Sequence, residues 1–165
     1  MPYTCTWIDS PVGTLTLVAR GPKLAAILWQ DDRPERVRLG ELREQHDHPM
    51  LVRTAAQLGD HFAGRRETFD LDLDFVGTPF QVQVWQALLR IPFGETRSYL
   101  DIATQLGNPK AVRAVGAANG RNPISIIAPC HRVIGSSGSL TGFAGGLAAK
   151  QYLLSLERRD LFSGL

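Results

Sequence analysis

The sequence has little cysteine, no long apolar run and almost no net charge. Only Cys5 and Cys130 carry thiols among 165 residues. Two cysteines so far apart do not make a disulfide framework, and without a C-x-x-C pair they do not make a zinc site. Reduced thiols and a cytoplasmic location are the expectation. No apolar stretch approaches the roughly 20 residues of a bilayer span, so no membrane association is expected. The opening "MPYTCTWIDS" has no charged segment leading into an apolar core, so no secretory signal is expected. There is no internal repeat and no low-complexity tract, which excludes solenoids and disordered arrays.

What is present is a globular composition, 44% hydrophobic, with charge distributed unevenly. Residues 1–76 hold nine Lys/Arg against twelve Asp/Glu, a net of −3; residues 77–165 hold nine against four, a net of +5. A basic second half suggests an anionic partner, and nucleic acid is the commonest one.

The first third reads as strand. "YTCTWID", "GTLTLVA" and "KLAAILW" are separated by the punctuating "SPVG" and "RGP", the pattern of an antiparallel meander. Residues 31–48 are charged and irregular. "PMLVRTAAQLGDHFAG" places Leu51, Ala55, Leu58 and Phe62 at helical spacing and ends at Gly64. "TFDLDLDFV" alternates, as a half-buried strand does. At Gly77 the character changes. Thr78 as N-cap and Pro79 in the first turn open a helix whose stripe is Phe80, Val84, Trp85, Leu88 and Leu89, stopped by Pro92. Two short helices follow. Ser98 caps the first and Gly107 stops it; Asn108 and Pro109 open the second, giving the layout of a helix-turn-helix. "ISIIAP" reads as a buried strand or extended segment, "GSSGSLTGFAGG" as a loop, and "LAAKQYLLSLERR" as a final amphipathic helix.

The second helix of the tandem, "AVRAVGAA", offers alanine and glycine where a reader of base edges would carry Arg, Asn or Gln. Small residues allow close approach of backbone to a groove that encodes little sequence. One long cation, Arg113, is left to enter the duplex or hold phosphate. A helix packed through its alanines, with Arg113 in solvent, is the other reading of this stretch.

Cys130 is the chemical question. A single cysteine is most often an inert core residue, and Cys5, within an apparent strand, fits that description. Cys130 follows Pro129, which stiffens the backbone, and precedes His131 and Arg132, whose charges would favour thiolate. It lies between an apolar segment and a glycine loop, where a scaffold presents a site. A cysteine and a neighbouring histidine bind one metal ion poorly, and His46 and His48 form an isolated pair in a charged loop. Adjacent residues of extended chain point to opposite faces, so Cys130 and His131 need a bend or a bridging water to act together.

"PCHRVIG", preceded by "NGRNPISIIA" and followed by "GSLTGFAGGLAAKQYLLSLE", closely resembles the active-site region of the O6-alkylguanine-DNA alkyltransferases. "FGETRSYLDIA" and "GNPKAVRAVG" match the same family in the same order, so the resemblance runs from about Thr78 to Glu157. Residues 1–76 match loosely, through "IDSPVGTLTL" and through His61-Phe62 at a position of Tyr-Phe type. The resemblance implies an α+β fold. A small N-terminal α/β domain with an antiparallel, RNase H-like sheet would span 1–76. A helical domain with a winged-helix or helix-turn-helix DNA-binding motif would span 77–165. It implies direct-reversal DNA repair: irreversible, single-turnover transfer of an alkyl group from O6-alkylguanine, and from O4-alkylthymine, to the protein's own cysteine after base flipping. No cofactor is implied. The partner would be double-stranded DNA containing alkylated guanine, bound by a monomer with room for cooperative assembly along DNA.

Residue by residue, the resemblance makes Cys130 the alkyl acceptor, His131 its base through a water, and Glu157 the carboxylate that orients His131. Asn122 would brace the active-site turn, and the Tyr99 hydroxyl would help protonate the leaving guanine. Arg113 would fill the vacated place in the duplex, with Ala111, Ala114, Gly116, Ala117 and Asn119 on the DNA-binding helix. Tyr99, Pro129, Phe143 and Ala144 would line the base pocket. Two departures stand out. Phe143 occupies a position where tyrosine is common, and Asn119 one where some members carry a bulkier wedge. Some members also hold a structural zinc in the N-terminal domain; with Cys5 as the only thiol there, none is expected. Three other classes compete: a damage-binding relative without transfer activity, which would lack the cysteine; a helix-turn-helix regulator; and a Cys-His hydrolase that turns over repeatedly.

Overall fold

The computed structural model describes residues 2–136, 138 and 142–162. Three strands, β1 (Tyr3–Ile8), β2 (Leu15–Arg20) and β3 (Lys23–Leu28), form the antiparallel meander, with Cys5 opposite Val18 and Val18 opposite Ala26. The charged region adds what its composition hid: β4 (Leu42–Glu44) pairs parallel to β1 at the sheet edge, giving the order β3-β2-β1-β4. Three residues are too few for an alternation signal to be read in sequence.

Helix α1 (Pro49–Phe62) packs on this sheet, with His48 accepting from Met50 N at its start. The alternating "TFDLDLDFV" is not a regular strand. Its chain is extended and its apolar residues Phe69, Leu71 and Leu73 face the core, but it joins β3 through a single bridge, Leu24 to Leu73, with Leu24 N donating to Asp72 O and Asp74 N to Leu24 O. Alternation reports which side is buried; it does not guarantee a hydrogen-bonded neighbour.

The second half opens as expected. Thr78 and Gln81 form a reciprocal capping box on α2 (Pro79–Leu88), an arrangement worth about 1 kcal/mol. The helix ends at Leu88, before Pro92 forces it to. Trp85 is buried and donates from Nε1 to Ala118 O at 2.8 Å, fastening α2 to the helix-turn-helix. Ser98 and Asp101 cap α3 (Tyr99–Gln105) in the same way. Gly107, at φ 78°, turns the chain out of α3. The next helix, α4 (Val112–Gly120), starts later than "NP" suggests, because Asn108 to Ala111 close a turn through Ala111 N to Asn108 O and α4 has no side-chain cap. β5 (Arg97–Ser98) and β6 (Val133–Ile134) form a short parallel pair, and α5 (Leu147–Phe162) closes the chain.

"ISIIAP" is not a strand either. Ile124 makes one bridge to Ile27, and the chain then folds into turns in which Ile126 has φ 74°. A β-branched residue there costs about 1–3 kcal/mol and persists only where its surroundings over-determine it. The surroundings here are burial of Ile124, Ile126 and Ile127 in the same core as Leu15, Leu17, Ile27 and Leu58. That core therefore draws on both halves of the chain, and the segment leading to Cys130 is seated on the sheet. Among the described residues no helix is long and apolar enough to cross a membrane.

Candidate active site

Cys130, His131 and Arg132 form one 3-10 turn, which supplies the bend that extended chain would lack. All three are buried. Asn122 holds the approach to the turn: its Nδ2 donates to Ala128 O at 2.8 Å, and its Oδ1 accepts from Ile124 N at 3.1 Å. The amide thus closes the loop 122–128 upon itself, and Cys130 N completes the bend by donating to Ala128 O.

His131 is wholly enclosed. Its Nε2 lies 2.5 Å from Glu157 Oε2, so Nε2–H donates and Nδ1 is the acceptor nitrogen. Nδ1 has no hydrogen-bond partner among the described residues. Glu157 is fully used: Oε1 accepts from Arg132 Nε at 2.7 Å and from Gly94 N at 3.1 Å. Arg132 also donates to Ile91 O and lies over the Phe93 ring. Burial works against the Glu157 carboxylate, but the hydrogen bond from His131 and the charge and hydrogen bond of Arg132 outweigh it and hold the group at about 2. Burial pushes His131 below its ordinary value, against the pull of Glu157. The buried set at neutral pH is a carboxylate, a guanidinium and a neutral imidazole.

The Cys130 thiol is pushed up by burial, so the resting group is a thiol that needs a base. The groups that oppose this shift are Asn122 and Ser125, through hydrogen bonds, and Arg36 and Lys150, through charge. The expectation that His131 and Arg132 would supply the positive field is corrected: His131 is neutral, and the Arg132 charge is committed to Glu157. Lys150 is buried, donates to Val133 O at 2.7 Å, and loses affinity for its proton through desolvation. Arg36, paired with Asp32, donates to Ile27 O and Asn122 O. Sequence reading passed over Lys150, Arg36, Ser125 and Trp29. For Lys150 a signal existed: Lys150 and Glu157 stand seven residues apart on the α5 face that buries Leu153 and Leu154, an odd place for charge unless it has work there.

On α4, Arg113, Ala114 and Ala117 are exposed, Ala111 and Gly116 half-buried, and Val115 and Ala118 packed inward. The small-residue face is thus open to solvent, which removes the reading of a helix buried through all its alanines. The Tyr99 ring lies against α4 at Gly116, where an added Cβ would meet it at 3.8 Å, an ordinary contact that does not require glycine. Asn119 differs from its expected place on the DNA face. It is 6% exposed, with Nδ2 turned toward Cys130 O at the limit of hydrogen-bond distance. Half a turn of helix separates it from Ala117, and that rotation carries it inward. Pro129 is buried beside Cys130; Phe143 and Ala144 are half-buried, with Phe143 packed edge-on to Trp29. Residues 137 and 139–141 of the glycine loop lie outside the described residues. Among the described residues no group of three or more His, Cys, Asp or Glu is placed to hold a metal ion.

Two family models match. The 6-O-methylguanine DNA methyltransferase ribonuclease-like domain matches residues 3–75, and the DNA-binding domain of the same description matches 79–159. The chain is 53% identical over 152 residues to a methylated-DNA–protein-cysteine methyltransferase of Mycolicibacterium paratuberculosis, covering 92% of this chain and 90% of that one. It is 46% identical to the constitutive enzyme of that description from Bacillus subtilis, covering 93% and 94%. The crystal structure of Mycobacterium tuberculosis OGT in complex with DNA superimposes with a TM-score of 0.84 at 48% identity, covering 96% of this chain and 93% of that one. With both family models matched along nearly its whole length and an enclosed Cys-His-Glu set at its centre, this chain belongs to the 6-O-methylguanine DNA methyltransferase family.

Proposed function

We propose that this protein binds duplex DNA through α4, flips an alkylated guanine out of the stack, and takes the alkyl group from O6 onto Cys130. It is a methylated-DNA–protein-cysteine methyltransferase acting in direct-reversal repair. The substrate class is O6-alkylguanine, with O4-alkylthymine as the second lesion of like chemistry. The relative crystallised with DNA and the basic second half support duplex DNA as partner. A junction near Gly77 between sheet domain and DNA-binding domain is supported by the boundaries of the two matching family models.

In the reaction the Cys130 proton passes through a water to His131 Nδ1, the nitrogen left unspent once Nε2 is committed to Glu157. The thiolate attacks the alkyl carbon; a sulfur–carbon bond forms as the carbon–O6 bond breaks. The electron pair returns to guanine, which takes a proton from the Tyr99 hydroxyl, and Tyr99 recovers its own from solvent. Glu157 keeps the imidazole in the right tautomer and stabilises the imidazolium. The product is a stable thioether whose thiolate does not leave again, so the protein is consumed. Arg113, exposed on α4, fills the space the flipped base leaves, while Ala114 and Ala117 allow sequence-tolerant approach to the minor groove. Asn119 braces the Cys130 turn from beneath α4. Pro129, Phe143, Ala144 and Tyr99 wall the base.

The observation that carries this reading is a buried cysteine on the same turn as a histidine oriented by a buried carboxylate. The test is direct. After incubation with duplex DNA containing O6-methylguanine, the peptide bearing Cys130 should carry one methyl group per protein, with no second turnover. Cys130→Ser should abolish transfer and retain DNA binding. An unmodified Cys130 after full exposure would falsify the reading, and repeated turnover would point to a hydrolase.

A further inference from the structure

We propose that Trp29 is a positioning residue for alkyl transfer: from the end of β3 it holds the Ser125 hydroxyl of the active-site segment and sets the pocket wall through Gly145 and Phe143. The inference rests on Cys130 being the acceptor.

Trp29 belongs to the sheet half of the chain, yet its side chain is spent on the other half. It is 6% exposed and directly follows β3. A tight turn holds its backbone: Trp29 N donates to Asp32 Oδ2 at 3.1 Å, and Asp32 N donates back to Trp29 O at 3.2 Å. Asp32 is in turn gripped by Arg36. The indole therefore has little freedom.

Its polar edge meets the active-site segment. Trp29 Nε1 donates to Ser125 Oγ at 3.1 Å in a buried setting. An indole N–H donates only, so Ser125 Oγ accepts in this bond, and its own proton is left to donate elsewhere. Ser125 is fully buried, and its hydroxyl is one of the two hydrogen-bonding groups that favour the ionised form of Cys130. Trp29 thus occupies one lone pair of the Ser125 oxygen and fixes where that oxygen sits.

The ring carries the pocket loop. Phe143 packs edge-on at 5.3 Å between centroids with 72° between planes. Phe143 has no hydroxyl to anchor it, so its position depends on packing against Trp29 and the nearby Lys150 ammonium. Gly145 sits flat on the indole: a Cβ there would lie 2.7 Å from Cδ2, Cε3 and Cζ3. Its backbone is not in the left-handed region, so glycine is required at 145 by the indole and not by conformation. A sheet residue thereby fixes the height of the wall that faces the alkyl group.

Three variants and a double variant test this. Single-turnover transfer is measured at saturating protein from duplexes carrying O6-methylguanine or O6-benzylguanine. DNA affinity is measured separately, and Cys130 reactivity toward iodoacetamide is followed against pH. Trp29→Phe keeps a ring but loses the donor. Its iodoacetamide profile should move to higher pH and its methyl transfer at neutral pH should slow about tenfold, as loss of one hydrogen bond to a charged group implies, with DNA affinity unchanged. Gly145→Ala should slow transfer about tenfold, by overpacking, in the wild-type background, and should cost nothing further when combined with Trp29→Leu. Trp29→Leu alone should change the benzyl-to-methyl rate ratio. Thermal melting establishes that each variant is folded, and Trp29→Phe carries the polar arm if Trp29→Leu is not. The proposal falls if Trp29→Phe keeps the wild-type pH profile, or if Gly145→Ala costs the same with and without the indole. Failure of the underlying reading looks different: the wild-type protein itself would leave Cys130 unalkylated by either duplex.

Discussion

Replacing Glu157 with glutamine tests the buried charge set most directly, because the side chain keeps its shape and loses only its charge and one acceptor. In the wild type, Oε2 receives His131 Nε2–H, and Oε1 receives both Arg132 Nε–H and Gly94 N–H. Glutamine can satisfy His131 with its oxygen only by turning its own NH2 against those two donors. The carboxylate is held at about 2. Against an unfolded value near 4.3, that depression corresponds to about 3 kcal/mol of stability at neutral pH, within the range for breaking a buried ion pair from one side. For a chain of this size the melting temperature should fall by roughly 6–12 °C. Linkage gives the pH dependence. A carboxylate with a depressed folded value contributes stability that is fully present above about pH 4.5 and is lost as pH falls through 2. Glu157→Gln should therefore flatten the acid limb of the stability curve while lowering its plateau. Transfer should slow by about a hundredfold, since the imidazole loses the group that fixes its tautomer. Differential scanning calorimetry from pH 3 to 8 and single-turnover transfer provide both readouts. A variant that melts with the wild type and transfers at its rate would refute the reasoning.

Other outcomes follow from the same geometry. His131 has a depressed folded value, so its contribution to stability is fully present above about pH 6.5 and is lost as pH falls below that through the folded value; urea midpoints should decline below about pH 6.5 in the wild type and less in His131→Gln. Arg113→Ala should slow repair of duplex DNA far more than transfer from a free modified base, because an exposed cation on α4 acts on the duplex and not on the sulfur; equal loss on both would move Arg113 into the chemistry. Gly77→Ala should destabilise the fold by about 1–3 kcal/mol, since the added Cβ would lie 2.6 Å from the Trp85 ring; unchanged urea midpoints would contradict the tight approach.

The caps of α2 and α3 were readable because Thr78-Pro79 and Ser98 act on backbone groups within their own first turn. The meander was readable because its turns are short and its strands carry local alternation. The strands β4 and β5 and the irregular path of 124–128 were not, because each is set by a partner distant in sequence; the start of α4 was not, because a local turn from Asn108 to Ala111 delays it. β4 exists by pairing with β1, and Ile126 accepts an unfavourable φ because two halves of the chain bury it.

The sequence by itself determined the chemistry available: one thiol beside a histidine after proline, a glutamate on the last helix, and an alanine-rich helix with one arginine. These survive as local motifs, because the residue types and spacings are the signal. Only the tertiary structure decided which nitrogen of His131 is free, which charges face Cys130, and which side of α4 meets solvent. Field and proton position depend on groups brought together across the chain. Arg36 from beyond β3, Ser125 from a turn and Lys150 from α5 all favour the ionised form of Cys130 although up to 114 positions separate them in the sequence.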